Sequence, residues 1–309
     1  MKHTIKIISI LLGMFFITQL IGIAVINQYS PEIKFSINEN GELVSITSYN
    51  LPYGMDPPEG ISPASTLVSI VFAIAIAVVF ILILMRYKAE FFLRTWFFIV
   101  VSLALGISIN AFILDIPYAP LIALALGAIL SAIKLFKRNI IMHNITELII
   151  YPGIGAIFVP LLNIWTVILL LILISIYDIY AVWHAGFMQK MAEYQIKKLR
   201  FFTGFFVPYT GKKEKKLIAL AKTSKNFEKE SKKIKISVAI LGGGDVVFPI
   251  ILAGVVLNTF GLLSSIIIAF GATIALAFLF AISKKGQFYP AMPFISAGCL
   301  IALGIVYLI

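Results

Sequence analysis

Ile164-Trp165-Thr166-Val167-Ile168-Leu169-Leu170-Leu171-Ile172-Leu173-Ile174-Ser175-Ile176-Tyr177-Asp178-Ile179-Tyr180-Ala181-Val182-Trp183 carries one charge in twenty residues. About 20 apolar residues are what a helix needs to cross a bilayer, whereas a buried helix of a soluble protein is usually shorter. Similar runs recur along the chain at approximately 6–26, 64–85, 95–114, 118–136, 142–161, 236–257, 262–283 and 287–309. The run at 142–161 is the least regular, because it holds Glu147, Pro152 and Pro160. Composition agrees: of 309 residues, 61% are hydrophobic and 13% charged. Soluble domains carry roughly 25% charged residues. The mean hydropathy is +1.03. The expected fold class is therefore all-α, a polytopic membrane protein with about nine transmembrane helices. The first run could be read as a secretory signal headed by Lys2 and Lys6. It is longer than the roughly 7–15 residues of a signal core, and no A-x-A cleavage site follows it, the exit reading Ala24-Val25-Ile26-Asn27-Gln28. It is expected to stay as a span.

The net charge is +11, and its placement decides its meaning. When the connecting loops are assigned alternately to two sides, 24 of the 25 Lys and Arg fall on the side of the N-terminus, and Lys34 alone falls on the other. Basic loops stay in the cytoplasm. The N-terminus is thus expected inside and the C-terminus outside, in a multi-pass protein of the plasma membrane. The chain divides into an N-terminal six-helix half (1–183), a basic cytoplasmic loop (184–235) and a C-terminal three-helix part (236–309). The lysines of that loop, Lys212, Lys213, Lys215 and Lys216 among them, read as a solvated connector that touches anionic lipid headgroups. They lack a fold that would present them to nucleic acid. The loop at about 27–63 is acidic and turn-rich, and could cap the bundle. Cys299 is the single cysteine, and His3, His143 and His184 are scattered. No disulfide framework, metal centre or cofactor is expected. Oligomeric state is not legible.

Three acids lie well inside apolar runs: Glu147, Asp178 and Asp245. Such residues are rare in lipid and face a partner or water. Asp178 stands about six residues before the end of its span and Asp245 about nine after the start of the next, roughly 9 and 14 Å deep from the same face. The two spans are consecutive and antiparallel, and consecutive elements tend to be neighbours. Two carboxyls in a low-dielectric site hold a single proton between them. One can then deprotonate a water while the other polarises an amide carbonyl, the aspartic-protease arrangement. Gly242-Gly243-Gly244 directly precedes Asp245. Each interior glycine costs a helix roughly 1 kcal/mol against Ala, so either close backbone approach or an unwound segment that an extended substrate can pair with is expected there. A small-residue packing face is the plain alternative. Pro290 and Pro293 open the last span, and prolines at that spacing break regular helix, although Pro is also welcome at a helix start. Glu147 is expected to pair with Lys134 or Lys137, or to face the cavity, without a catalytic role.

Tyr177-Asp178, Gly242-Gly243-Gly244-Asp245 and Pro290-Ala291-Met292 together resemble the YD, GxGD and PAL signatures of the presenilin and signal peptide peptidase family of intramembrane aspartyl proteases. Their order, their spacing and the nine spans agree over essentially the whole chain. The resemblance implies that Asp178 and Asp245 are the catalytic dyad, that Pro290 and Ala291 shape the substrate site, and that transmembrane helical peptides are the substrates. Met292 stands where the family usually has Leu, a volume-conserving swap. Gly243 stands where a larger apolar residue is common, which is expected to loosen selectivity. Tyr177 to Val182 is similar to presenilin, while Pro249 is more similar to signal peptide peptidases. The chain looks like a compact single-chain microbial member, archaeal ones included.

A proton- or cation-coupled transporter or channel would also place acids and broken helices in the membrane. Against it, no paired halves with matching interruptions are visible. A noncatalytic scaffold would make both Asp→Asn changes silent.

Overall fold

The computed structural model describes residues 5–37, 43–57, 62–87, 89–137, 139–185, 203–209, 237–283 and 289–309. Among these residues the elements run α1 (Ile5–Gln28), β1 (Glu32–Ile37), β2 (Leu43–Ser48), α2 (Pro63–Arg86), α3 (Glu90–Asn110), α4 (Ala119–Phe136), α5 (Ile140–Phe158), α6 (Ile164–Tyr180), β3 (Gly204–Tyr209), β4 (Ser237–Gly242), α7 (Gly243–Phe260), α8 (Leu262–Ile282) and α9 (Met292–Leu308). Every expected span is present as a helix. Eight are long and apolar enough to cross a bilayer, and α9 is an apolar helix of 17 residues. The chain is an integral membrane protein.

Several helix starts are written in local chemistry. Asn139 caps α5 by accepting the Ile141 amide at 2.9 Å. Asn163 opens α6 with a reciprocal box, its Oδ1 accepting from the Thr166 amide at 2.9 Å while Thr166 Oγ1 accepts from the Asn163 amide at 2.8 Å. Each such cap satisfies amides that a helix start leaves without partners.

Three helix starts differ from expectation by five residues or more. α3 begins at Glu90 rather than near 95, α7 at Gly243 rather than 236, and α9 at Met292 rather than 287. The shift at α7 has the clearest cause: residues 237–242 form β4, antiparallel to β3, with Gly204 opposite Gly242. A second antiparallel pair, β1 with β2, follows α1. These strand pairs are an addition to an all-helical expectation. β3 also shows that the 184–235 connector is more than a solvated tether, since it lends a strand to the bundle. Its lysine run, Lys212 to Lys216, lies outside the described residues.

α7 is the axis of the bundle. It packs against α1, α5, α6, α8 and α9, while α2 packs lightly, chiefly on α3 and α6. Of the eight long spans α7 is the most buried and α2 the least. Ile250 of α7 fits where Gly22 of α1 and Gly155 of α5 leave no room for a Cβ, each position lying 2.7 Å from its Cγ2. Small residues permit such close approach between helices in lipid. The segment after β2 caps one end as expected: Leu51 and Pro52 are buried, and the Tyr53 hydroxyl donates to the Pro120 carbonyl at 2.8 Å. Beside it, burial pushes the Tyr29 hydroxyl up to about 12. It stays protonated and donates to the Ile107 carbonyl at 2.8 Å while accepting from Asn110.

α7 and α8 are joined by one residue, Gly261, with φ +88° and ψ −178°. A side chain there is strained by about 1–3 kcal/mol. Gly261→Ala should lower the thermal unfolding midpoint in detergent by that equivalent, measured by circular dichroism. An unchanged midpoint would mean that the turn relaxes.

Candidate active site

Asp178 sits near the end of α6, two residues before Tyr180, where the helix widens into a π turn at Ala181–Ala185. Such turns are rare and gather at functional sites. Its side chain is buried, 6% exposed, and Oδ2 accepts the Met292 amide at 3.0 Å. Met292 is the first residue of α9, and the preceding Ala291 offers no side-chain cap. Pro293 has no N–H to satisfy. The exposed donors of the α9 start are thereby reduced, and Asp178 caps the helix from across the bundle, with the Ala291 amide also directed at it. One turn earlier on α6, the Ser175 hydroxyl pairs with Ser296 of α9 at 2.9 Å. Residues 289–291 are not helical, so Pro290-Ala291 is a bent lead-in rather than the first turn of a helix.

Asp245 is the third residue of α7, and Gly242 at the end of β4 is its N-cap. The three glycines therefore form a strand-to-helix junction and do not weaken a helix interior. Of the two gains expected from them, close approach is seen at Gly243, where a Cβ would lie 2.7 Å from the Tyr151 hydroxyl, whereas of the three glycines only Gly242 lies outside the helix. The Asp245 carboxyl turns back toward Gly242, its Oδ2 3.2 Å from where a Gly242 Cβ would stand. It lies within coulombic range of Asp178. Asp245 is half-buried and Gly244 exposed, so the junction is open on one side.

The structure thus brings Asp178, Met292, Ala291, Asp245 and Gly242 to one end of α6, α7 and α9. Pro290 is buried beside them, while Tyr177, at 36% exposure, stands at the edge of the group. Gly243 does not widen the site: Tyr151 occupies the space that a larger residue would fill. Phe288 lies outside the described residues.

Glu147 pairs with Lys134, one of its two expected partners, both side chains 1% exposed. His143 was not expected to join them, yet its Nε2 lies 3.6 Å from Glu147 and its Nδ1 3.3 Å from Lys134 Nζ. The 143/147 spacing on one helix face was the available signal. Among the described residues no group of three or more His, Cys, Asp or Glu could hold a metal ion.

The family model for signal-peptide peptidase, presenilin aspartyl protease matches residues 48–309. The chain belongs to this family. Its fold is similar to that of a presenilin-family intramembrane aspartate protease solved in the C222 space group, at 17% identity and a TM-score of 0.59, covering 97% of this chain and 98% of the other. A P2 form of a presenilin-family intramembrane aspartate protease gives 17% identity and 0.58 over 96% of each chain. No curated protein matches. Family and fold together make the chain an aspartic intramembrane protease.

If Asp178 caps α9, removing its oxygens leaves the Met292 amide buried and unpaired. Asp178→Ala should then be less stable than Asp178→Asn by about 1–2 kcal/mol, read by thermal unfolding in detergent. Equal stability of the two variants would show that the cap contributes nothing.

Proposed function

We propose that this protease hydrolyses peptide bonds within transmembrane helices, with Asp178 and Asp245 as the reacting pair. The observation that supports it is that Asp178 and Asp245 lie on contacting helices, α6 and α7, within electrostatic range of each other and beside interrupted backbone. The Met292 amide holds Oδ2 of Asp178, with the Ala291 amide also directed at the carboxyl, and the carboxyl keeps lone pairs for a water or for the proton shared with Asp245. One carboxylate takes a proton from water as its oxygen adds to the scissile carbonyl carbon, and the protonated partner hands its proton to the carbonyl oxygen. Collapse of the resulting diol breaks the C–N bond, and a carboxyl protonates the leaving nitrogen.

A helical substrate shields its carbonyls with its own hydrogen bonds, so it must unwind first. Gly242 at the end of β4 and Tyr289 to Ala291 flank the dyad with non-helical backbone, suited to holding an extended segment. Water reaches the pair from the basic end of the bundle. By the distribution of Lys and Arg, that end is cytoplasmic, the N-terminus lies inside and the C-terminus outside, and the plasma membrane is the natural location. Substrates are transmembrane segments, and anionic lipid meets the basic loops. A transport role draws no support from family or fold.

Purified protein incubated with a labelled transmembrane peptide should cleave it, and an aspartyl-protease transition-state mimic should stop it. Asp178→Ala and Asp245→Ala should each cut the rate at least about a hundredfold. Retention of cleavage in either one excludes the two-carboxyl mechanism. The rate should also follow a bell in pH: acid protonates both carboxyls and removes the base, alkali ionises both and removes the acid. A monotonic profile would contradict a shared proton.

A further inference from the structure

The two aspartates leave one buried polar cluster unused. His143, Glu147 and Tyr151 follow one another at intervals of four on α5, forming a single stripe, and Lys134 joins them from the last turn of α4. We propose that this cluster is a positioning device for Asp245, which fixes where α7 begins. The inference rests on the two-aspartate reading above.

Two routes lead from the cluster to the dyad. Lys134 can only donate, so His143 Nδ1 accepts from it and Nε2 carries the ring proton. That N–H meets the Gly204 carbonyl at 2.8 Å. One residue on, Asn144 grips Phe206 of β3 twice, accepting its amide at 2.9 Å and donating to its carbonyl at 2.8 Å. Gly204 is the register partner of Gly242, the N-cap of α7, three residues before Asp245. The second route is direct: Tyr151, 3% exposed, sets the closest distance at which Gly243 can pass. The α4–α5 face therefore holds both the strand that feeds the triglycine junction and the junction itself.

Stability does not account for the cluster. Desolvation of a buried ion pair offsets most of its attraction, and an apolar pair of similar volume is often as stable or more so. Nor are its hydrogen bonds complete: among the described residues Glu147 Oε2 and Tyr151 Oη have no hydrogen-bond partner, although the tyrosine faces the carboxyl. Lys134, Glu147 and Tyr151 border a cavity of about 330 Å³ that Gly243 and Gly244 also line. The rest of its lining is mostly apolar, Ile70, Phe97, Val101 and Ile150 among it.

The test separates position from stability. Lys134→Leu with Glu147→Leu replaces the pair by apolar groups, and the double variant should keep or raise the thermal midpoint. Its kcat on the labelled peptide should nevertheless fall about tenfold to a hundredfold, with KM changed less than about twofold. Independently, Gly243→Ala should lose kcat through the clash with Tyr151, and adding Tyr151→Leu should restore most of it. Wild-type kcat in the folded double variant, a loss of rate that only tracks a loss of midpoint, or failure of Tyr151→Leu to rescue Gly243→Ala would overturn the proposal. Asp178→Ala is run alongside. Cleavage by that variant would remove the two-aspartate reading itself, whereas an inactive Asp178→Ala beside an unaffected double variant removes only the positioning role.

Discussion

In hydrocarbon a backbone amide or carbonyl has no water to turn to, so a spanning chain must satisfy each one internally. A protease that opens helices needs non-helical backbone at membrane depth, against that constraint. The structure meets it twice by borrowing partners from elsewhere. The segment before α7 is not helical, and β3 supplies its ladder. The segment before α9 is not helical either, and the first amide of that helix is taken by Asp178. In both places the loss of helix falls beside an aspartate, so interrupted backbone and acid chemistry share one solution.

The Asp178 contact does more than complete a helix. A carboxylate at the start of a helix is favoured by the amides and by the dipole, and here the carboxylate belongs to another helix. The Ser175–Ser296 pair repeats the tie one turn deeper. α6 and α9 are thereby locked at the height where α7, the most enclosed helix, presents Asp245 from its first turn. Helix-to-helix contacts thus place Asp178, while the start of α7 also leans on β3 of the connector.

Much of this was legible in residue order. Nine apolar runs announced nine helices, because lipid demands length and apolarity and little else. Asp178 and Asp245 stood out since acids in such runs are costly. What escaped reading was pairing at a distance. β4 carries Val238, Ala239, Ile240 and Leu241, a run as apolar as a span, and periodicity alone does not separate a short buried strand from a buried helix turn. Its partner β3 begins some thirty residues earlier, across a lysine-rich stretch that reads as solvated. Gly242 to Gly244 did mark the break, but which side of it was helix depended on Gly204. His143 was overlooked for a similar reason: its partners, Lys134 and the Gly204 carbonyl, come from two other elements.

The same dependence on distant partners bears on how the chain divides. Pro249 has no N–H, so the Asp245 carbonyl lacks the donor that a regular helix would supply four residues on. The neighbouring Val246 carbonyl is met from outside by Gln19 of α1, fully buried, at 3.1 Å. Gly243 is met by Tyr151 of α5, and Gly242 by β3. The first turns of α7 are thus held by α1, α5 and the connector more than by their own ladder. A boundary drawn at 184–235 puts Asp178 and Asp245 in separate parts of the sequence, yet the part that contains Asp245 does not carry the groups that hold it. The helix start that carries Asp245 is thus met by residues of the N-terminal part and of the connector.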